Sequence, residues 1–85
     1  MEIIFLPKAE EDLAYWIKIN NKIVLKKIAQ LTHSILDTPF KGLGKPEALK
    51  HELSGKWSRR INIQHCYIYQ IENETLKVYS LKGHY

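Results

Sequence analysis

Glu47, the pair Arg59-Arg60 and His84 are the side chains of this chain that could act together on an RNA phosphate. A carboxylate can take the proton from a ribose 2′-OH. A histidine can return a proton to the leaving 5′-oxygen, and a guanidinium can stabilise the charge that grows on phosphorus between them. Each residue also has a plainer reading. Glu47 lies between Lys45 and Lys50 as a surface acid would, the two arginines could simply charge a sheet edge, and His84 falls where chains commonly fray. His51 and His65 are weaker site candidates, and His33 belongs to a helix. Trp57 and Tyr69 read as core residues rather than platforms for stacked bases. The four histidines show no zinc-ligand spacing, and there is no Walker or Rossmann glycine pattern, so neither a metal nor a nucleotide cofactor is expected.

The charge supports an anionic partner. Residues 1–38 carry five lysines and five acids, whereas residues 39–85 carry eight Lys and Arg against four acids, so the net +4 sits wholly in the second half. A chain of 85 residues is expected to form one domain, spanning 1–85. Its 45% hydrophobic content places it with globular proteins rather than disordered ones. Cys66 is the single cysteine, which excludes an internal disulfide and suits a reducing cytoplasm. With no visible signal peptide and no apolar run near the ~20 residues of a membrane span, no membrane association is expected.

These residues need elements to position them. Ile3-Ile4-Phe5-Leu6 reads as a buried strand. Pro7 suits the first position of a helix, and Glu10, Glu11 and Asp12 load its positive end with acid. Ala9, Leu13, Trp16 and Ile17 form its apolar stripe, and Asn20-Asn21 ends it. A second helix is predicted over 22–37 from Val24, Ile28, Leu31 and Ile35, with Thr38-Pro39 as its stop. The stretch "KGLGKPEAL" is a loop, followed by candidate strands around 50–53, 57–63, 66–72 and 75–82. Asn73-Glu74 would turn a hairpin. The predicted fold is α+β: an N-terminal strand, two helices packed on one face of the sheet, then an antiparallel meander. The other face and its rim remain for function.

"GKPEALKHELSGKWSRRI", residues 44–61, together with the terminal "HY", resembles the signature of YoeB-type toxins of the RelE/ParE superfamily. The resemblance covers essentially the whole chain. It implies a RelE-like, microbial-ribonuclease-like fold and a metal-independent RNA endonuclease that cuts messenger RNA in the ribosomal decoding site. The product would carry a 2′,3′-cyclic phosphate. It further implies a Phd/YefM-type antitoxin as partner, operator DNA as a target of the complex, and room for a homodimer. By the same resemblance Glu47 is the general base, His84 the general acid, Arg60 a phosphate-stabilising arginine, and Tyr85 a terminal tyrosine packed in or beside the site. Lys45, Lys50 and Arg59 would contact RNA. A chain that ends in its active site needs its last residues held.

One position departs from the pattern. Where the family usually reads His-Arg ahead of an alternating strand, this chain reads His65-Cys66. A neutral thiol cannot supply the forked, permanently charged donors of a guanidinium. This sustains a rival reading: a non-catalytic or attenuated binding protein, either a ParE-like blocker of another target or a paralogue that titrates antitoxin.

Overall fold

The computed structural model describes residues 1–84. Strand β1 (Glu2–Phe5) is followed by helices α1 (Pro7–Lys18) and α2 (Lys22–Asp37). Strands β2 (Glu47–Ala48), β3 (Trp57–Arg60), β4 (Cys66–Glu72) and β5 (Thr75–Ser80) complete it, with a 3₁₀ turn at His51–Leu53. The sheet order is β1-β5-β4-β3-β2. Strands β2 to β5 pair antiparallel, and β1 joins β5 in parallel, so the sheet is mixed.

Both helices cover one face. Ala9 and Trp16 of α1 and Val24, Ile28, Leu31 and Ile35 of α2 pack on Tyr67, Tyr69, Leu76 and Val78. Each aliphatic side chain buried this way contributes roughly 1.5–3 kcal/mol. The boundary between the helices follows the asparagines. Asn20 takes a left-handed φ of 55°, and the Asn21 side chain accepts the Val24 N–H as the cap of α2. Asn73 and Glu74, at φ 52° and 58°, turn the β4–β5 hairpin in the left-handed conformation such two-residue loops need.

Several details depart from the sequence reading. β1 is an edge strand rather than a buried one, with Ile3 and Ile4 still 39% and 41% exposed. Ile17 lies outside the α1 stripe and is exposed, because the buried face runs through Ala9, Asp12 and Trp16. The predicted strand at 50–53 is a turn: His51 has φ 58°, and Leu53 and Ser54 donate back to the Lys50 and His51 carbonyls. β3 stops at Arg60, since the Asn62 carboxamide accepts the N–H groups of Gln64 and His65 and bends the chain into β4.

Candidate active site

The helix-free face carries the site. In the β2–β3–β4 register Glu47 stands opposite Ser58, Ser58 opposite Ile68, and Arg60 opposite Cys66, so alternate side chains leave the sheet on the same side. Glu47, Ser58, Arg60 and Cys66 line a cleft of ≈ 340 Å³ with Lys45, Asn62, Ile63 and His84. The structure thus gathers Lys45, Glu47, Arg60 and His84, separated by up to 39 residues in sequence, around one opening. Lys50 stands beside it, in a neighbouring depression shared with Glu47, Leu49 and His51.

The approach to Glu47 depends on Gly44. Its φ is +85°, and a Cβ there would meet Leu31 Cδ2 at 2.7 Å and the Arg60 carbonyl oxygen at 3.2 Å. This close approach lets the Gly44 carbonyl accept the Arg60 N–H at 2.7 Å, which ties the loop to β3 just before β2 begins.

Arg59 lies away from the cleft. It points to the helix side and is fully buried. All five of its N–H donors are used: Nε to Tyr69 Oη, Nη1 to Ser34 Oγ and the Leu43 carbonyl, and Nη2 to the Thr38 and Lys41 carbonyls. Tyr69 Oη in turn donates to the Pro39 carbonyl at 2.6 Å. Arg59 therefore staples residues 38–43, the segment leading into Lys45 and Glu47. Two adjacent arginines point to opposite faces because strand side chains alternate, and only Arg60 reaches the cleft.

His84 is brought to the cleft by a chain of contacts. The Asp12 carboxylate accepts the Leu81 N–H at 3.0 Å and pairs with Lys8 at 2.7 Å. Trp16 Nε1 donates to the Leu81 carbonyl at 2.9 Å. Lys8 Nζ also donates to the Lys82 carbonyl, and the Cys66 N–H donates to the Gly83 carbonyl at 2.9 Å. The sequence reading missed Lys8, Asp12 and Trp16 as determinants of the site. No local signal marks them, since their partners lie 65–74 residues away. Tyr85 lies outside the described residues.

Cys66 is on the cleft side, at a part of that face that is itself buried. Leu49, Cys66 and Ile68 form a second small core, backed by Leu53 and Tyr79. The Cys66 sulfur lies 3.9 Å from His84 Nδ1. Burial pushes the thiol above its usual pKa; the Arg60 charge opposes that shift and Glu47 adds to it. The position therefore presents a neutral thiol to the cleft. Among the described residues, no group of three or more His, Cys, Asp and Glu side chains is placed to hold a metal ion. No helix there is long and apolar enough to cross a membrane.

The chain is similar to known proteins over its whole length. Residues 5–85 match the family model for the YoeB-like toxin of bacterial type II toxin–antitoxin systems. The chain is 41% identical over 85 residues to Toxin YoeB of Escherichia coli K12, covering 100% of both. Its fold superposes on a YoeB/ParE toxin from Agrobacterium tumefaciens with a TM-score of 0.95 at 33% identity, covering 100% of both chains. It also superposes on the YoeB–YefM complex of Staphylococcus aureus with a TM-score of 0.90 at 43% identity, covering 100% of this chain and 98% of that one. The two-helix, five-strand architecture and the full-length likeness together show that this chain belongs to the YoeB-like toxins of bacterial type II toxin–antitoxin systems.

Proposed function

We propose that this protein is a ribosome-dependent messenger-RNA endonuclease of the cytoplasm, acting in the decoding site and inhibiting translation. The observation that carries the reading is the single cleft in which a carboxylate, a guanidinium and an imidazole stand together on the helix-free face. Glu47 takes the proton of a 2′-OH, and that oxygen attacks the adjacent phosphorus. The P–O5′ bond breaks, and His84 supplies a proton to the departing oxygen. The products are a 2′,3′-cyclic phosphate and a 5′-hydroxyl, with no metal taking part. Arg60 holds the phosphorane charge, while Lys45 and Lys50 hold the flanking backbone. An acidic segment of a YefM-type antitoxin would cover this same cleft, and the +4 charge confined to residues 39–85 favours such a cover.

A second reading has its own support. Cys66 stands in the cleft beside His84, where the family resemblance implies a guanidinium. A chain short of that cation would bind antitoxin while cutting RNA poorly. Adding the protein to a translating extract and mapping message ends decides between the two. Cuts within codons at the decoding site establish the nuclease. Intact messages with unimpaired translation would leave the binding role alone.

A further inference from the structure

The geometry points to His65 as a positioning residue that, in its neutral form, latches the C-terminal segment through Gly83 and so aims His84 into the cleft. The inference rests on the assignment of His84 as the proton donor, and it adds a control to that site.

The Gly83 N–H donates to His65 Nδ1 at 2.8 Å. A nitrogen that accepts carries no proton, so the neutral ring must hold its hydrogen on Nε2. Gly83 is clamped from its other side as well, because its carbonyl accepts the N–H of Cys66, the residue after His65. The dipeptide 65–66 thus grips both polar groups of residue 83, immediately before the catalytic candidate. The ring is itself fixed edge-on against Trp16, with centroids 4.9 Å apart, and Trp16 bonds the Leu81 carbonyl. His65 is therefore wedged between α1 and the segment that it holds.

Protonation would reverse the latch. A proton on Nδ1 turns the acceptor into a donor that confronts the Gly83 N–H, and the bond is lost. Charged groups face the ring from each packed element: Asp12 from α1, and Lys82 and His84 from the terminal segment. Burial, Lys82 and His84 disfavour the imidazolium, Asp12 favours it, and the net direction is a pKa lowered from 6.5. The latch is thus closed at neutral pH and opens as pH falls below the ordinary histidine range. The sequence offers no sign of this, because His65 bonds a backbone N–H 18 residues away.

The test uses the full chain and two variants. His65→Gln keeps a side-chain acceptor that does not titrate, and His65→Leu keeps apolar contact with Trp16 but has no acceptor. Long-range imidazole ¹H–¹⁵N correlations of the parent should show Nδ1 of His65 unprotonated at about pH 7.5. The Gly83 amide should shift and lose exchange protection with a midpoint below about 6.5. In His65→Gln that transition should vanish. On translating ribosomes His65→Leu should lose at least about tenfold in the single-turnover cleavage rate with ribosome affinity unchanged. His65→Gln should stay within a few-fold of the parent, and its rate should no longer show the fall below about pH 6.5 that the titration of His65 causes. A Gly83 transition that persists in His65→Gln would belong to another group and would overturn the latch. So would a folded His65→Leu that cleaves like the parent. If none of the chains cleaves RNA, the nuclease reading fails, and the Gly83 transition still decides the latch by itself.

Discussion

Arg60 and Cys66 are direct cross-strand partners, the last residue of β3 opposite the first residue of β4. Their side chains leave the sheet on the same face, so a second guanidinium at position 66 would stand beside the first. Without substrate the two charges repel, which in facing strand positions costs up to about 1 kcal/mol. With a phosphorane between them, the same pair is a clamp. Cys66→Arg should therefore lose about 1–2 kcal/mol of stability, including lost packing against Leu49 and Ile68, yet gain roughly 10²-fold in cleavage. Urea unfolding and single-turnover cleavage at equal folded concentration measure the two effects separately. A stable variant that cleaves no faster would show that position 66 does not serve the phosphate.

Glu47→Gln and His84→Gln should each lower cleavage by about 10²–10⁴-fold. Both residues are exposed, so unfolding midpoints should hardly move. Rates within a few-fold of the parent would remove the proton-transfer assignments.

Arg59 and Arg60 should separate cleanly. Arg59→Leu leaves the Thr38, Lys41 and Leu43 carbonyls and the Ser34 hydroxyl without their donor, and should cost about 3 kcal/mol or more. Arg59→Lys should recover only part, because one ammonium cannot fork to five acceptors. Arg60→Lys should leave the urea midpoint within about 0.5 kcal/mol of the parent and reduce the cleavage rate instead. Equal midpoints for the Arg59 and Arg60 variants would contradict the opposed roles.

Cys66 should resist alkylation. Its pKa is raised from 9.0, chiefly by burial, so the reactive thiolate is scarce at neutral pH. The sign for stability follows: the unfolded chain ionises its thiol first as pH climbs through 9, and Cys66 then favours unfolding. Iodoacetamide at about pH 8 should label the folded chain at least roughly tenfold more slowly than the urea-unfolded chain. Equal rates would show an accessible thiol.

Much of this was legible in the sequence. The 3.6-residue stripes gave both helices, Tyr69 read as core, and Asn73-Glu74 marked the hairpin. Residue chemistry and the resemblance of residues 44–61 and the terminal pair singled out Glu47, Arg60 and His84, which the fold gathers around one cleft. What stayed hidden was of two kinds. β2 is only two residues long and has no period to detect, and β1 carries an apolar run that ends at an edge. The roles of Arg59, Asp12, Trp16 and His65 are set by partners far along the chain. The sequence reading placed both adjacent arginines at the site, but the register shows that Arg60 faces the cleft and Arg59 a ring of carbonyls.

The bonds from Asp12 and Trp16 to Leu81 also set an order of assembly. Each closes a loop of 65–69 residues, and the entropy of closure rises with loop length. The helices and the β4–β5 hairpin are local and form sooner. Glu47 and Arg60 can therefore be in place on a nearly folded chain while His84 is still adrift. Activity would then appear as the last step of folding rather than with the bulk of the structure. Loosening Asp12 should speed unfolding far more than it slows folding.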